Sequence, residues 1–220
     1  APLDETADLE SYVPSYYIEG EKKYVAAEDI IVPPGANNTD YTVISAVKCS
    51  APVNVTVKAV LGSSADAYCS DNSLYVASSG TKDGAVYTSV TSFDISENGL
   101  VYKASGSVDG ELVSRYSMTE ADGKFRIACR AYNENGMMTT NIYTLDSSLG
   151  IVSKSEGLLP GVIAGAVKFD GSYASIFENG ATEPSLVVDL DKTADSADKA
   201  TGFMAAYVNS FGDDLMVGIT

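Results

Sequence analysis

The 220-residue sequence contains no histidine. That removes Ser-His-Asp and Cys-His nucleophile arrangements, histidine metal ligation and histidine acid-base catalysis from the chemistry open to it. Tryptophan is absent too, so the signature of WD repeats and the usual sugar-stacking platform are missing, and tyrosine stacks less effectively. Basic residues are scarce: 14 Lys and Arg stand against 30 Asp and Glu, a formal charge of −16. Such a balance favours solubility and repels phosphate backbones and anionic headgroups, so no nucleic-acid partner is expected. No run approaches the roughly 18 apolar residues of a spanning helix, so no membrane insertion is expected within this chain. No Gly-x-Ser-x-Gly elbow, phosphate-cradling glycine loop or spaced cysteine pair occurs, and no cofactor is expected. Helical periodicity never persists beyond a turn or so.

Cysteines number three, too few and too irregularly spaced for a disulfide framework. Cys129 lies in register with Phe125 and Ile127 and reads as a small core hydrophobe. Cys49 and Cys69 could pair in an oxidising compartment if their geometry allowed it. The first residues, Ala1-Pro-Leu-Asp4, carry neither Met nor a charged-then-apolar leader, which reads as a processed piece of something longer.

What is present is a strand vocabulary: 14 Tyr and 19 Gly, with many Val, Ser and Thr between short turn signals. The stretch from Leu112 to Arg130 shows the unit. It reads as two short strands folded about Ala121-Asp122-Gly123, an Asp-Gly turn of the kind that supplies positive φ in tight hairpins. In its second half Phe125, Ile127 and Cys129 fall on one face and Lys124, Arg126 and Arg130 on the other, the pattern of a half-buried antiparallel strand. Similar hairpins follow one another from Tyr41 to the end of the chain. Second strands begin near Leu74, Phe125, Tyr173 and Leu215, at spacings of 51, 48 and 42 residues. Third strands end at Asp94, Asp146 and Asp189, at spacings of 52 and 43. Two anchors giving one period of four strands predict β-propeller blades, with a non-repeating β-sandwich as the alternative.

The expected fold is therefore all-β, a propeller fragment of about four blades of four antiparallel strands, as three whole blades and two halves. Residues 1–40 read as an acidic arm and an irregular aromatic loop packed on the body, and residues 41–220 as the partial propeller. Tyr16, Tyr17 and Tyr24 either pin that loop to the core or line a surface. A half-blade leaves an unpaired edge. Missing sequence would complete the ring, or the halves would complete each other within one chain or in a homodimer.

Candidate sites are few. Asp189 and Asp191, followed by Asp195 and Asp198, suggest calcium, but a loop counted from Asp189 puts Ala194 and Ala200 where Gly and Glu are required, so no metal is expected. Asp94, Asp146 and Asp189 recur at strand ends and are expected to cap turns through side-chain to backbone bonds. Loops between second and third strands, Ser79 to Gly84, Ala131 to Thr139 and Glu178 to Pro184, should share one rim. That rim, with Tyr132, Asn133, Asn135 and Glu178, is the expected binding surface.

Several runs also carry a family likeness. They are Pro14-Ser-Tyr-Tyr-Ile18, Ala59-Val-Leu-Gly-Ser-Ser64, Ser73-Leu-Tyr-Val-Ala77, Tyr102-Lys-Ala-Ser-Gly106, Tyr116-Ser-Met118, Phe125-Arg-Ile-Ala128 and Ile142-Tyr-Thr-Leu-Asp146. In that order they resemble an uncharacterised secreted bacterial family with a C-terminal β-propeller domain. The resemblance implies an extracytoplasmic propeller, often behind a signal or anchor, and brings no catalytic residues. The expected function is a non-enzymatic binding or interaction module for a protein or an envelope polymer or carbohydrate. The alternatives are a carboxylate-based glycoside hydrolase and a purely structural envelope spacer.

Overall fold

The computed structural model describes residues 8–36, 38–62, 66–181, 184–191, 207–210 and 216–219. Among the described residues the regular structure is all β apart from two single turns of 3-10 helix, Leu9–Ser11 and Ala27–Asp29. A hairpin of β1 (Ser15–Ile18) and β2 (Glu21–Tyr24) opens the chain. Next come β3 (Ile30–Ile31), β4 (Tyr41–Lys48) and β5 (Ala51–Leu61), a sheet in the order β3-β5-β4.

Blade I is a plain four-stranded antiparallel meander of β6 (Asp66–Cys69), β7 (Ser73–Lys82), β8 (Ala85–Ser96) and β9 (Gly99–Asp109). In blade II the first strand is split into β10 (Glu111–Leu112) and β11 (Met118–Ala121), both paired with β12 (Lys124–Tyr132). It continues through β13 (Met138–Leu145) and β14 (Ile151–Leu158). Blade III shows β15 (Ala164–Asp170), β16 (Tyr173–Glu178) and β17 (Pro184–Asp189). Its expected fourth strand, 199–203, and the anchor at 215 lie outside the described residues. A last hairpin pairs β18 (Tyr207–Ser210) with β19 (Met216–Ile219).

The repeat read from the sequence is the repeat of the sheets. Leu74 pairs with Phe93, Phe125 with Leu145, and Tyr173 with Asp189, so the two anchors fall within one residue of a shared cross-strand rung in each blade. The sheets pack face to face. Val60, Val76, Phe93 and Leu100 fill the seam between the β3-β5-β4 sheet and blade I. Tyr75, Ala77 and Val90 meet Phe125, Ile127, Cys129 and Tyr143 between blades I and II. Ala128 and Ile142 meet Val167, Ala174 and Ile176 between blades II and III. Successive residues of one strand thus serve opposite seams, as the two-residue period requires.

Three expectations change. Strand β12 is not half-buried: Arg126 is 5% exposed, because blade III covers the face that its charge assigned to solvent. The segment from Leu112 is not one continuous strand, since the Ser117 amide donates to the Ser114 carbonyl and turns the chain out between β10 and β11. The opening segment is more regular than a loop. Glu19 and Gly20 both take positive φ, at 52° and 84°, the geometry of a tight hairpin turn. Tyr16 joins the cluster of Val25, Val57 and Ala59 over β5, whereas Tyr17 faces out. β3 then adds to β5 in parallel, held by a 2.5 Å ion pair between Lys58 and Asp29. The half-blade is therefore flanked by a strand that the repeat did not announce.

Candidate functional site

The crossover from blade I to blade II is the single residue Gly110 between β9 and β10, and Gly110 and Leu112 are both bonded to blade I. The Gly110 amide donates to the Val86 carbonyl at 2.9 Å, and the Gly110 carbonyl accepts from Thr88 Oγ1 at 2.7 Å. The Leu112 amide donates to Ser79 Oγ at 3.0 Å, and that hydroxyl also lies 2.9 Å from Thr88 Oγ1. Gly110 sits at φ 98°, where a Cβ would stand 2.4 Å from the Arg130 carbonyl oxygen. Both the conformation and the approach demand glycine. Below the crossover Cys129 is fully buried, and burial pushes its thiol up to about 12.

Above the crossover the two blades part. A cleft of 540 Å³ opens there, walled on one side by Gly84, Ala85 and Val86 at the start of β8 and on the other by Ala131, Tyr132 and Met138 around the loop between β12 and β13. Asp109, Gly110, Glu111 and Arg130 form its base, and Asn141 and Glu156 close its far side. Its size falls within the usual range of ligand clefts, and its lining is more polar than is usual for them.

The far side is a connected polar chain. Asn141, 7% exposed, accepts from the Gly157 amide at 2.9 Å and donates from Nδ2 to the Tyr143 hydroxyl at 3.2 Å. That hydroxyl donates to Glu156 Oε1 at 3.3 Å, and Glu156 Oε2 pairs with Lys154 at 2.6 Å. Desolvation raises the Tyr143 phenol well above its ordinary range, so it stays a neutral donor. Glu111 is 3.5 Å from Arg130. Every member but the surface ends is fixed by two partners, which makes the wall preorganised.

Of the residues expected at the rim, the structure brings Tyr132 to the cleft, 68% exposed at its mouth. Asn133 is spent on its own loop: its Oδ1 accepts from the amides of Asn135 and Met137, each at 3.0 Å. Asn135 is exposed on that loop outside the cleft lining. Glu178 ends β16 on blade III, exposed and also outside the lining. The expected six-residue loop at Ser79 to Gly84 shrinks to a two-residue turn, since β7 runs to Lys82 and Asp83 and Gly84 take φ of 52° and 83°. Asp109, Glu111, Asn141 and Glu156 were not foreseen. The Asp109-Gly110-Glu111 run was the available signal, a turn dipeptide between two blades rather than inside one.

The recurring aspartates divide. Asp146 Oδ1 accepts from the Ser148 amide at 2.8 Å, the Ser148 hydroxyl at 2.6 Å and the Gly150 amide at 3.0 Å. Those bonds, the hydroxyl first, hold its carboxyl below the usual range. Asp189 accepts from the Asp191 amide at 3.1 Å. Asp94 instead pairs with Lys103 at 2.8 Å. Asp195 and Asp198 lie outside the described residues. Among the described residues no group of His, Cys, Asp and Glu is arranged to hold a metal ion, and no helix is long and apolar enough to cross a membrane. Cys49 and Cys69 are both exposed free thiols.

Residues 2–219 match the family model described as a beta propeller domain. An uncharacterised protein of Methanocaldococcus jannaschii is 36% identical over 121 residues, covering 52% of this chain and 19% of its own length. An uncharacterised protein of Archaeoglobus fulgidus is 30% identical over 118 residues, 51% of this chain and 18% of its own length. The chain thus spans about a fifth of the length of these curated relatives. Both organisms are archaea, so the bacterial part of the resemblance is carried no further.

Proposed function

The chain belongs to the beta propeller domain family, and from that premise we propose that it is a non-enzymatic, extracytoplasmic binding module whose ligand seats in the cleft between blades I and II. The observation that carries this reading is the cleft itself: 540 Å³ at a blade seam, with a buried Asn141 held by two hydrogen bonds on one side and an exposed tyrosine at its mouth. A propeller supplies rigid walls and leaves specificity to the residues at its rim. The extracytoplasmic location is supported by the sequence resemblance to a secreted family.

The test is a peptide library and a glycan array screened with the wild-type protein, Tyr132→Ala, and Ala85→Trp, which fills the mouth. Ligands captured by the wild type and lost in both variants, at unchanged melting temperature, are the expected result. Capture that both variants retain in full would move the site elsewhere. The glycoside hydrolase reading draws on Asp109, Glu111 and Glu156 sharing one cleft. It stands behind the binding reading because Glu111 and Glu156 each have a basic partner. It requires release of reducing ends from a glycan the cleft binds; binding without release disposes of it. A pure spacer would capture nothing in the screen.

A further inference from the structure

We infer that the cleft between blades I and II takes a basic side chain, a lysine or arginine presented by an extended peptide segment; this rests on the reading of the cleft as the binding site. Three of its lining residues are carboxylates, Asp109, Glu111 and Glu156. Two of these already have counter-ions within the fold, Glu111 in Arg130 at 3.5 Å and Glu156 in Lys154 at 2.6 Å. Asp109 has none within ion-pair distance among the described residues. It sits exposed at the end of β9, beside Gly110, whose amide and carbonyl are both committed to blade I. The cleft is therefore built one positive charge short.

Its other surfaces suit a long cationic side chain. Val86 and Met138 line opposite walls and can hold a methylene stem, while the charged head reaches the carboxylate. Tyr132, 68% exposed, offers a ring face for a cation–π contact. An anionic ligand would face three carboxylates against two cations and would have to break the Glu111 or Glu156 pair to engage either cation. A neutral sugar would find one aromatic ring, and an Asn141 amide with one N–H already given to Tyr143 and its oxygen already accepting from Gly157. The chain's charge of −16 raises the local concentration of cations and speeds their encounter.

The experiment titrates the whole chain at 0.15 M salt with Ala-Lys-Ala-Lys-Ala, its glutamate counterpart, spermidine and a neutral glucan oligosaccharide, following the backbone amides of Gly84 and Tyr132 by NMR. The lysine peptide is expected to shift both amides. Asp109→Asn should weaken that binding about tenfold, the loss of one charge-assisted contact. Glu97→Gln, the same charge change on an exposed turn away from the cleft, should leave it within about twofold. No shift with the lysine peptide, or equal losses in the two variants, overturns the inference. Spermidine binding without the peptide overturns the peptide part. If the oligosaccharide alone shifts the amides, the basic-side-chain inference falls while the cleft remains the binding site. Ligand binding that leaves both amides unmoved removes both.

Discussion

The seam between blades I and II and the seam between blades II and III use the same strand geometry with different chemistry. The first is aromatic and tied: Tyr75 stacks on Phe125 at 4.0 Å between centroids with Tyr68 against both. Beside the stack Glu120 accepts from Ser70 and Ser73 at 2.5 and 3.3 Å, and at the opposite end the Gly110 crossover closes the rim. The second is aliphatic and smaller-grained, Ala128, Ala164 and Ala174 among Val167, Ile142 and Ile176. Its cross-blade polar ties include the Val167 amide to Ser117 Oγ at 3.1 Å and Arg126 Nη1 to the Gly171 carbonyl at 2.5 Å. The cleft opens at the rim beside the Gly110 crossover, at the opposite end of the strands from the Tyr75–Phe125 stack; the second seam is filled by small aliphatic residues. Propeller geometry therefore leaves each seam free to become either a joint or a site.

The sharpest way to break this comparison is Phe125→Ala, expected to cost about 3–5 kcal/mol in chemical denaturation because the stacked ring leaves a cavity that Tyr75 cannot fill. A loss no larger than that of Ile176→Val in the second seam, about 1 kcal/mol, would put the two seams on equal terms. Gly110→Ala comes next, at roughly 2 kcal/mol from the left-handed φ alone, with more from the clash against the Arg130 carbonyl. A stability assay showing no change would mean the crossover can move aside.

High pH sharpens the contrast further. Burial raises both Cys129 and Tyr75 in the first seam to about 12, from ordinary values of 9.0 and 10.0. The unfolded chain then loses these protons before the folded chain does. Their stabilisation is complete below pH 9 and is lost as pH climbs from 9 toward 12, at about 1.4 kcal/mol per pH unit for each group once its unfolded form has ionised. Cys129→Val should flatten part of that slope in melts across the range, and an unchanged slope would place its origin outside the seam. The smallest effect is expected at Arg126→Met. A buried guanidinium with its Nε unpartnered contributes little over an apolar chain of similar length, so stability should stay within about 1 kcal/mol. A loss near that of Phe125→Ala would make the second seam as dependent on its cation as the first is on its ring.

Much of this fold was legible because its signals are local. Asp122-Gly123 takes the positive φ that an Asp-Gly turn announces, and the anchors at Leu74, Phe125 and Tyr173 pair within one residue of those at Asp94, Asp146 and Asp189. What escaped depended on neighbours. Glu19-Gly20 makes the same turn as Asp-Gly, but glutamate tolerates left-handed φ too poorly to advertise it. Arg126 reads as solvent-facing by charge, and only the presence of blade III buries it. At the site, Tyr132 was legible as an aromatic in a long polar loop. Asp109 and Glu156 were not, because the cleft exists between blades, and no period within a blade describes how far two sheets stand apart.

That separation has an evolutionary consequence. Where the chain threads past Arg130 at Gly110, main chain rests against main chain, so the gap between the two sheets is gauged by backbone rather than by any interchangeable side group. Lineages could swap residues such as Ala85, Tyr132 or Met138 and so retune what is held, while the opening that holds it keeps its width.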